Sequence, residues 1–81
     1  MRKFTLVNEA LGTIVYAYKD ENEEIHIYFD KKLKRISIDH WRFFEKHNSS
    51  MGQWLLDTTE LEFDELEWIY NKSKEIFKEE K

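Results

Sequence analysis

Two hydrophobic periods divide this chain. From residue 2 to about 38 apolar and polar positions alternate, the two-residue period of a sheet. Residues 2–7 (RKFTLV), 13–19 (TIVYAYK), 24–29 (EIHIYF) and 33–38 read as strands rich in β-branched and aromatic side chains. Turns fall at residues 8–12, where Gly12 can supply a positive φ, at 20–23 and at 30–32. Within 13–19, Ile14, Tyr16 and Tyr18 share one face and Val15 and Ala17 the other; within 24–29, Ile25, Ile27 and Phe29 share one and His26 and Tyr28 the other. The connections are short, which favours an antiparallel meander.

After residue 38 the period lengthens. Residues 39–47 predict a first helix with Asp39 as its cap and Trp41 and Phe44 as core residues, followed by a loop at 48–52. Residues 53–57 (QWLLD) are apolar and too short for the period to decide; a strand returning to the sheet is the preferred assignment. Residues 61–77 (LEFDELEWIYNKSKEIF) predict an extended lead-in and then the longer helix, capped by Asp64 with Glu67 three residues on. Leu66, Ile69, Tyr70, Ser73, Ile76 and Phe77 fall on one face. Asp64, Glu65 and Glu67 lie at the positive end of its dipole, and Lys72, Lys74 and Lys78 toward the negative end. Residues 36–44 and 61–69 echo each other as strand exit, Asp cap and staple (Ile38 with Phe43, Phe63 with Trp68), a pattern too generic to mark a duplication. The expected fold is α+β: one domain, residues 1–81, with a three- to four-stranded antiparallel meander and two helices packed on one of its faces.

Trp68 departs from the expected stripe, lying about 160° from its centre. It is the inner half of a staple with Phe63, an exposed aromatic anchor of the kind that dominates interfaces, or both, since a stapled Trp can still show one face. Its surroundings are acidic. Every charged residue from 57 to 67 is an acid (Asp57, Glu60, Glu62, Asp64, Glu65, Glu67), whereas 31–46 is mostly basic (Lys31, Lys32, Lys34, Arg35, Arg42, Lys46). The formal charge of −4 argues against general nucleic-acid binding.

Candidate chemistry is sparse. There is no Cys, hence no disulfide, thiolate metal site or thiol nucleophile, in keeping with a reducing cytoplasm. His40 and His47, seven apart on a helix, would stand about 10 Å apart and could not share a metal. The glycines are Gly12 and Gly52, so no phosphate-cradling loop is available, and no serine has nucleophile-elbow context. Neither a cofactor, a metal nor an enzymatic activity is expected. Residues 1–9 do not form a signal peptide, and no apolar run approaches the ~20 residues needed to span a bilayer, so no membrane is expected among the partners. In size and composition alone the chain resembles small accessory proteins of phages and mobile elements.

The reading that follows is a cytoplasmic, non-enzymatic protein-binding module, an inhibitor or regulator of a larger basic partner. Its surface would be Glu60, Glu62, Phe63, Asp64, Glu65, Glu67 and Trp68. The alternatives are a nucleic-acid-contacting regulator using Lys31, Lys32, Lys34 and Arg35 beside Tyr28 and Phe29, and a homodimer pairing exposed aromatics.

Overall fold

A computed structural model of the chain describes residues 1–45, 52–56 and 58–78, with side chains for 1–43 and 58–78. β1 (Thr5–Ala10), β2 (Thr13–Lys19), β3 (Glu23–Asp30) and β4 (Arg35–Glu45) form an antiparallel meander, and β5 (Gly52–Leu56) extends it along the far half of β4. α1 (Phe63–Ile76) is the one helix among the described residues. The α+β class and the meander agree with the sequence pattern, and 13–19 is a strand at the boundaries expected.

The first expected helix is a strand. Residues 35–42 pair residue for residue with β3, from Asp30↔Arg35 to Glu23↔Arg42. This register puts Ile36, Ile38 and His40 on the face shared by Phe29, Ile27 and Ile25, and Ser37, Asp39 and Trp41 on the other. Local signals favoured a cap at Asp39. The β-branched and aromatic content of 36–44, together with eight consecutive cross-strand pairs, favours the sheet, and tertiary pairing prevails. The staple between Ile38 and Phe43 disappears with the helix, because residues five apart on a strand face opposite sides. Of the loop expected at 48–52, residues 48–51 lie outside the described residues, as do Lys46, His47 and Asp57, while Gly52 opens β5. The strand preferred for 53–57 is present as β5.

The core lies between α1 and one sheet face. Phe4, Ile25, Ile27, Phe29 and Ile69 are buried there, with Ile14, Tyr16, Tyr18, Ile38, Leu61, Trp68, Ile76 and Phe77 packed around them. α1 starts over the Glu23 end of β3 and finishes near Phe29, whose ring meets Phe77 edge-on at 6.3 Å. It thus runs in the same direction as β3.

α1 is rotated by about 70° from the orientation its apolar residues predict. Glu65, Ile69 and Ser73 are its buried residues, and Trp68 and Ile76 pack inward beside them. Leu66 and Tyr70, expected inside, are 48% and 61% exposed. Trp68 has neither of the two roles foreseen for it. Its ring lies 5.4 Å from Phe4 and 5.3 Å from Tyr16, with the Lys72 ammonium 5.5 Å from its centroid, while Phe63 stands 79% exposed. The cap also falls two residues earlier than expected. Glu62 is the N-cap, and its amide donates to Glu65 Oε1 at 2.8 Å, the backward half of a capping box.

This orientation makes a stability prediction. Trp68→Ala removes an aromatic packed against two others and should cost about 3 kcal/mol, whereas Leu66→Ser on the outer face should stay within about 0.5 kcal/mol. Urea unfolding of both variants measures the difference; equal losses would place the helix in another rotation.

Candidate functional site

Two groups of residues in and around α1 merit a functional account. The first is a partly buried ionic cluster at the helix N-terminus. Arg2, in the segment before β1, grips Glu65 with Nε to Oε2 at 2.9 Å and Nη2 to Oε1 at 2.8 Å, and its own backbone amide donates to Oε2 at 2.9 Å. Nη1 reaches both oxygens of Glu23 at 3.1 and 3.2 Å, and Nη2 also donates to the Glu60 carbonyl at 2.9 Å. Glu23 Oε1 in turn lies 2.8 Å from Nε2 of His40, which is 1% exposed. The chain Glu65–Arg2–Glu23–His40 therefore joins the N-terminal segment, β3, β4 and α1.

The electrostatics follow from this geometry. The Arg2 hydrogen bonds, reinforced by backbone N–H donors, outweigh desolvation and hold the Glu65 carboxyl at about 2, below its ordinary 4.5. The two carboxylates, Glu65 first, keep the Arg2 guanidinium charged far above any working pH. A cleft of about 660 Å³ opens beside the cluster, lined by Arg2, Asn22, Glu23, Arg42, Glu60, Leu61 and Glu62. The Arg2 guanidinium is already held by two carboxylates and a carbonyl, which makes it a structural clamp.

The second group is the outer face of α1. Phe63, Leu66 and Tyr70 are exposed at i, i+3 and i+7 and form a stripe about two turns long. Glu62, Asp64 and Glu67 are exposed around it, and Glu60 is exposed just ahead of the helix. Lys74 Nζ sits 4.9 Å from the Tyr70 centroid, which stiffens the stripe's C-terminal end. By sequence, Glu60, Glu62, Phe63, Asp64, Glu65, Glu67 and Trp68 are expected to form one surface. Glu60, Glu62, Phe63, Asp64 and Glu67 are exposed, whereas Glu65 is 0% exposed in the Arg2 clamp and Trp68 is packed on the core. Leu66 and Tyr70 were missed as surface residues because their spacing with Ile69 and Ile76 reads as a core stripe. The missed signal was Trp68 itself, too large an apolar group to leave in water when the opposite face could be buried instead.

Elsewhere the open sheet face carries Glu24, His26 and Tyr28 in a row, with His26 Nε2 2.6 Å from Glu24 and Nδ1 3.4 Å from the Tyr28 hydroxyl. Burial and the charge of Asp39 raise the Tyr28 phenol, so it keeps its proton at neutral pH. The basic residues Lys31, Lys32, Lys34 and Arg35 are exposed in the β3–β4 turn and at the start of β4, but Phe29 beside them is fully buried. Among the described residues, no group of three or more His, Asp or Glu side chains could hold a metal ion. No protein-family model, curated protein or solved structure matches the chain.

Two outcomes are expected of the clamp. Arg2→Ala leaves Glu65 charged and buried without its partner, and should cost about 3 kcal/mol in urea unfolding at neutral pH. Glu65 has a depressed pKa in the fold, so its contribution is complete above the unfolded value and is lost as pH falls from about 4.5 toward about 2. A stability titration over that window should fall less steeply for Glu65→Gln than for the wild type; parallel curves would mean that Glu65 carries no linked proton.

Proposed function

We propose that the protein is a non-enzymatic binding module that lays the outer face of α1 into an apolar groove, rimmed by basic side chains, on a larger protein. It acts there as an inhibitor or regulator. One observation carries this reading: Phe63, Leu66 and Tyr70 stand in water on a helix whose other face already fills the core. Anchors at i, i+3 and i+7 are the spacing by which an amphipathic helix docks in a groove. Exposed acids flank the stripe and supply steering toward a basic rim, while the apolar anchors supply the lasting contact. The surface differs from the one read off the sequence by exchanging Glu65 and Trp68 for Leu66 and Tyr70. Because the core lies on the opposite side of α1, the stripe can be altered without unfolding the domain.

The test compares affinity capture by the tagged wild type and by a Leu66→Ser, Tyr70→Ser variant of matched thermal stability. The wild type should retain a basic protein that added salt weakens, and the variant should bind that protein at least about thirtyfold more weakly, the loss of a helical hot spot. Equal retention by both, or no retention by either, would count against the helix face.

A further inference from the structure

The helix-face reading leaves the opposite end of the sheet without a role, and the backbone there is unusual. β1 and β2 are joined by Leu11 and Gly12 alone, at φ 42° and 88°. Two successive positive-φ residues make the turn that favours Asn-Gly or Asp-Gly, because short polar side chains tolerate the left-handed region. Leu11 is branched and apolar, and it is 104% exposed. It thus stands in a backbone region that disfavours it and in a solvent that disfavours it. A residue that breaks two local rules at once directs attention to function.

The β3–β4 turn lies against this hairpin. The Lys31 amide donates to the Gly12 carbonyl at 2.7 Å, and Asp30 Oδ1 accepts from the Lys32 and Leu33 amides at 3.0 Å each. Lys34 is the other non-glycine residue at positive φ among those described. The two turns so joined bring Leu11, Leu33 (58% exposed) and Ile36 (39%) to the same end of the sheet as Lys31, Lys32, Lys34 and Arg35. Among the described residues, the acids at this end are Asp30, engaged in its own turn, Glu9 on β1, and Glu75 in the last turn of α1, 3.4 Å from Lys72. The acidic start of α1 is at the other end. The chain's net charge of −4 therefore conceals a basic, apolar tip.

We propose that this tip docks on the surface of an anionic lipid bilayer, with Leu11 and Leu33 entering the acyl boundary and Lys31, Lys32, Lys34 and Arg35 meeting the headgroups. Spanning a bilayer and lying against one have different requirements; the second needs an apolar group and a cluster of bases acting together. The tip has both, on turns whose Leu11 and Leu33 side chains are exposed. Nucleic acid fits these residues less well. Sequence-independent strands are held by stacking on aromatic faces, and here the exposed apolar side chains are leucine and isoleucine, while Phe29 is in the core and Tyr28 is half-buried beside His26. Docking by the tip would point the Phe63 end of α1 away from the membrane.

The experiment is cosedimentation with vesicles of phosphatidylcholine alone and with about one-third phosphatidylserine, alongside a labelled DNA duplex. The wild type should partition to the anionic vesicles, lose that partitioning as salt is raised, and ignore the neutral ones. Leu11→Asn separates fold from function: the turn accommodates Asn better, so thermal stability should hold or rise, while vesicle partitioning should drop about tenfold. Lys31→Glu with Lys32→Glu should lower it by at least about fivefold per base. Absence of anionic-vesicle binding at low salt, or wild-type binding by Leu11→Asn, would overturn the proposal. Duplex binding without vesicle binding would overturn it as well and assign the tip to nucleic acid.

Discussion

Everything on the helix side of the sheet depends on the grip of Arg2 on Glu65. A carboxylate with no exposed surface is costly to bury alone, and its position in the middle of the inner face would forbid the observed rotation of α1 if Arg2 were elsewhere. With two side-chain hydrogen bonds and two backbone amides on Glu65, and Glu23 on the far side of the guanidinium, each charge is paired and hydrogen-bonded. The helix can then turn Trp68 onto Phe4 and Tyr16. The same turn sends Leu66 and Tyr70 outward. The candidate surface is in this sense a consequence of the buried ion pair.

The sheet was largely legible in the sequence because its information is local. The alternation in 13–19 and 24–29 sets which side chains enter the core, and Ile25, Ile27 and Phe29 are all fully buried as that alternation requires. The C-terminal helix was legible for the same reason. Residues 39–45 were not, because a generic cap and two aromatics at helical spacing imitate a helix, and only the long pairing of β4 with β3 and then β5 decides against it. Helix rotation was illegible for a different reason. Counting apolar residues places Glu65 outside, and its partner is 63 positions away in sequence. No local pattern reports a contact of that range. The site was accordingly half visible: its acids and Phe63 could be read from charge and spacing, whereas the exchange of Trp68 for Leu66 and Tyr70 followed from packing.

The charges along the chain acquire a spatial meaning in the fold. α1 starts at the sheet end that holds Glu23 and finishes at the end that holds the 11–12 and 31–34 turns. Acids therefore collect at its N-terminus and bases near its C-terminus, which is the arrangement the helix dipole favours. The domain offers two chemically distinct surfaces on a small frame, an acidic one with aromatic anchors and a basic one with aliphatic tips. Residues at either can change without reaching the Phe4–Ile25–Ile27–Phe29–Ile69 core.

The most direct measurement of the central claim is site-specific photo-crosslinking in cells. A photoreactive residue would be placed at Leu66 on the outer face of α1, with a control at Ser37 on the open sheet face. The account predicts one discrete crosslinked species from Leu66 that is missing from Ser37. Identical adducts from both positions, or adducts from Ser37 alone, would contradict it and remove the outer face of α1 as the docking surface.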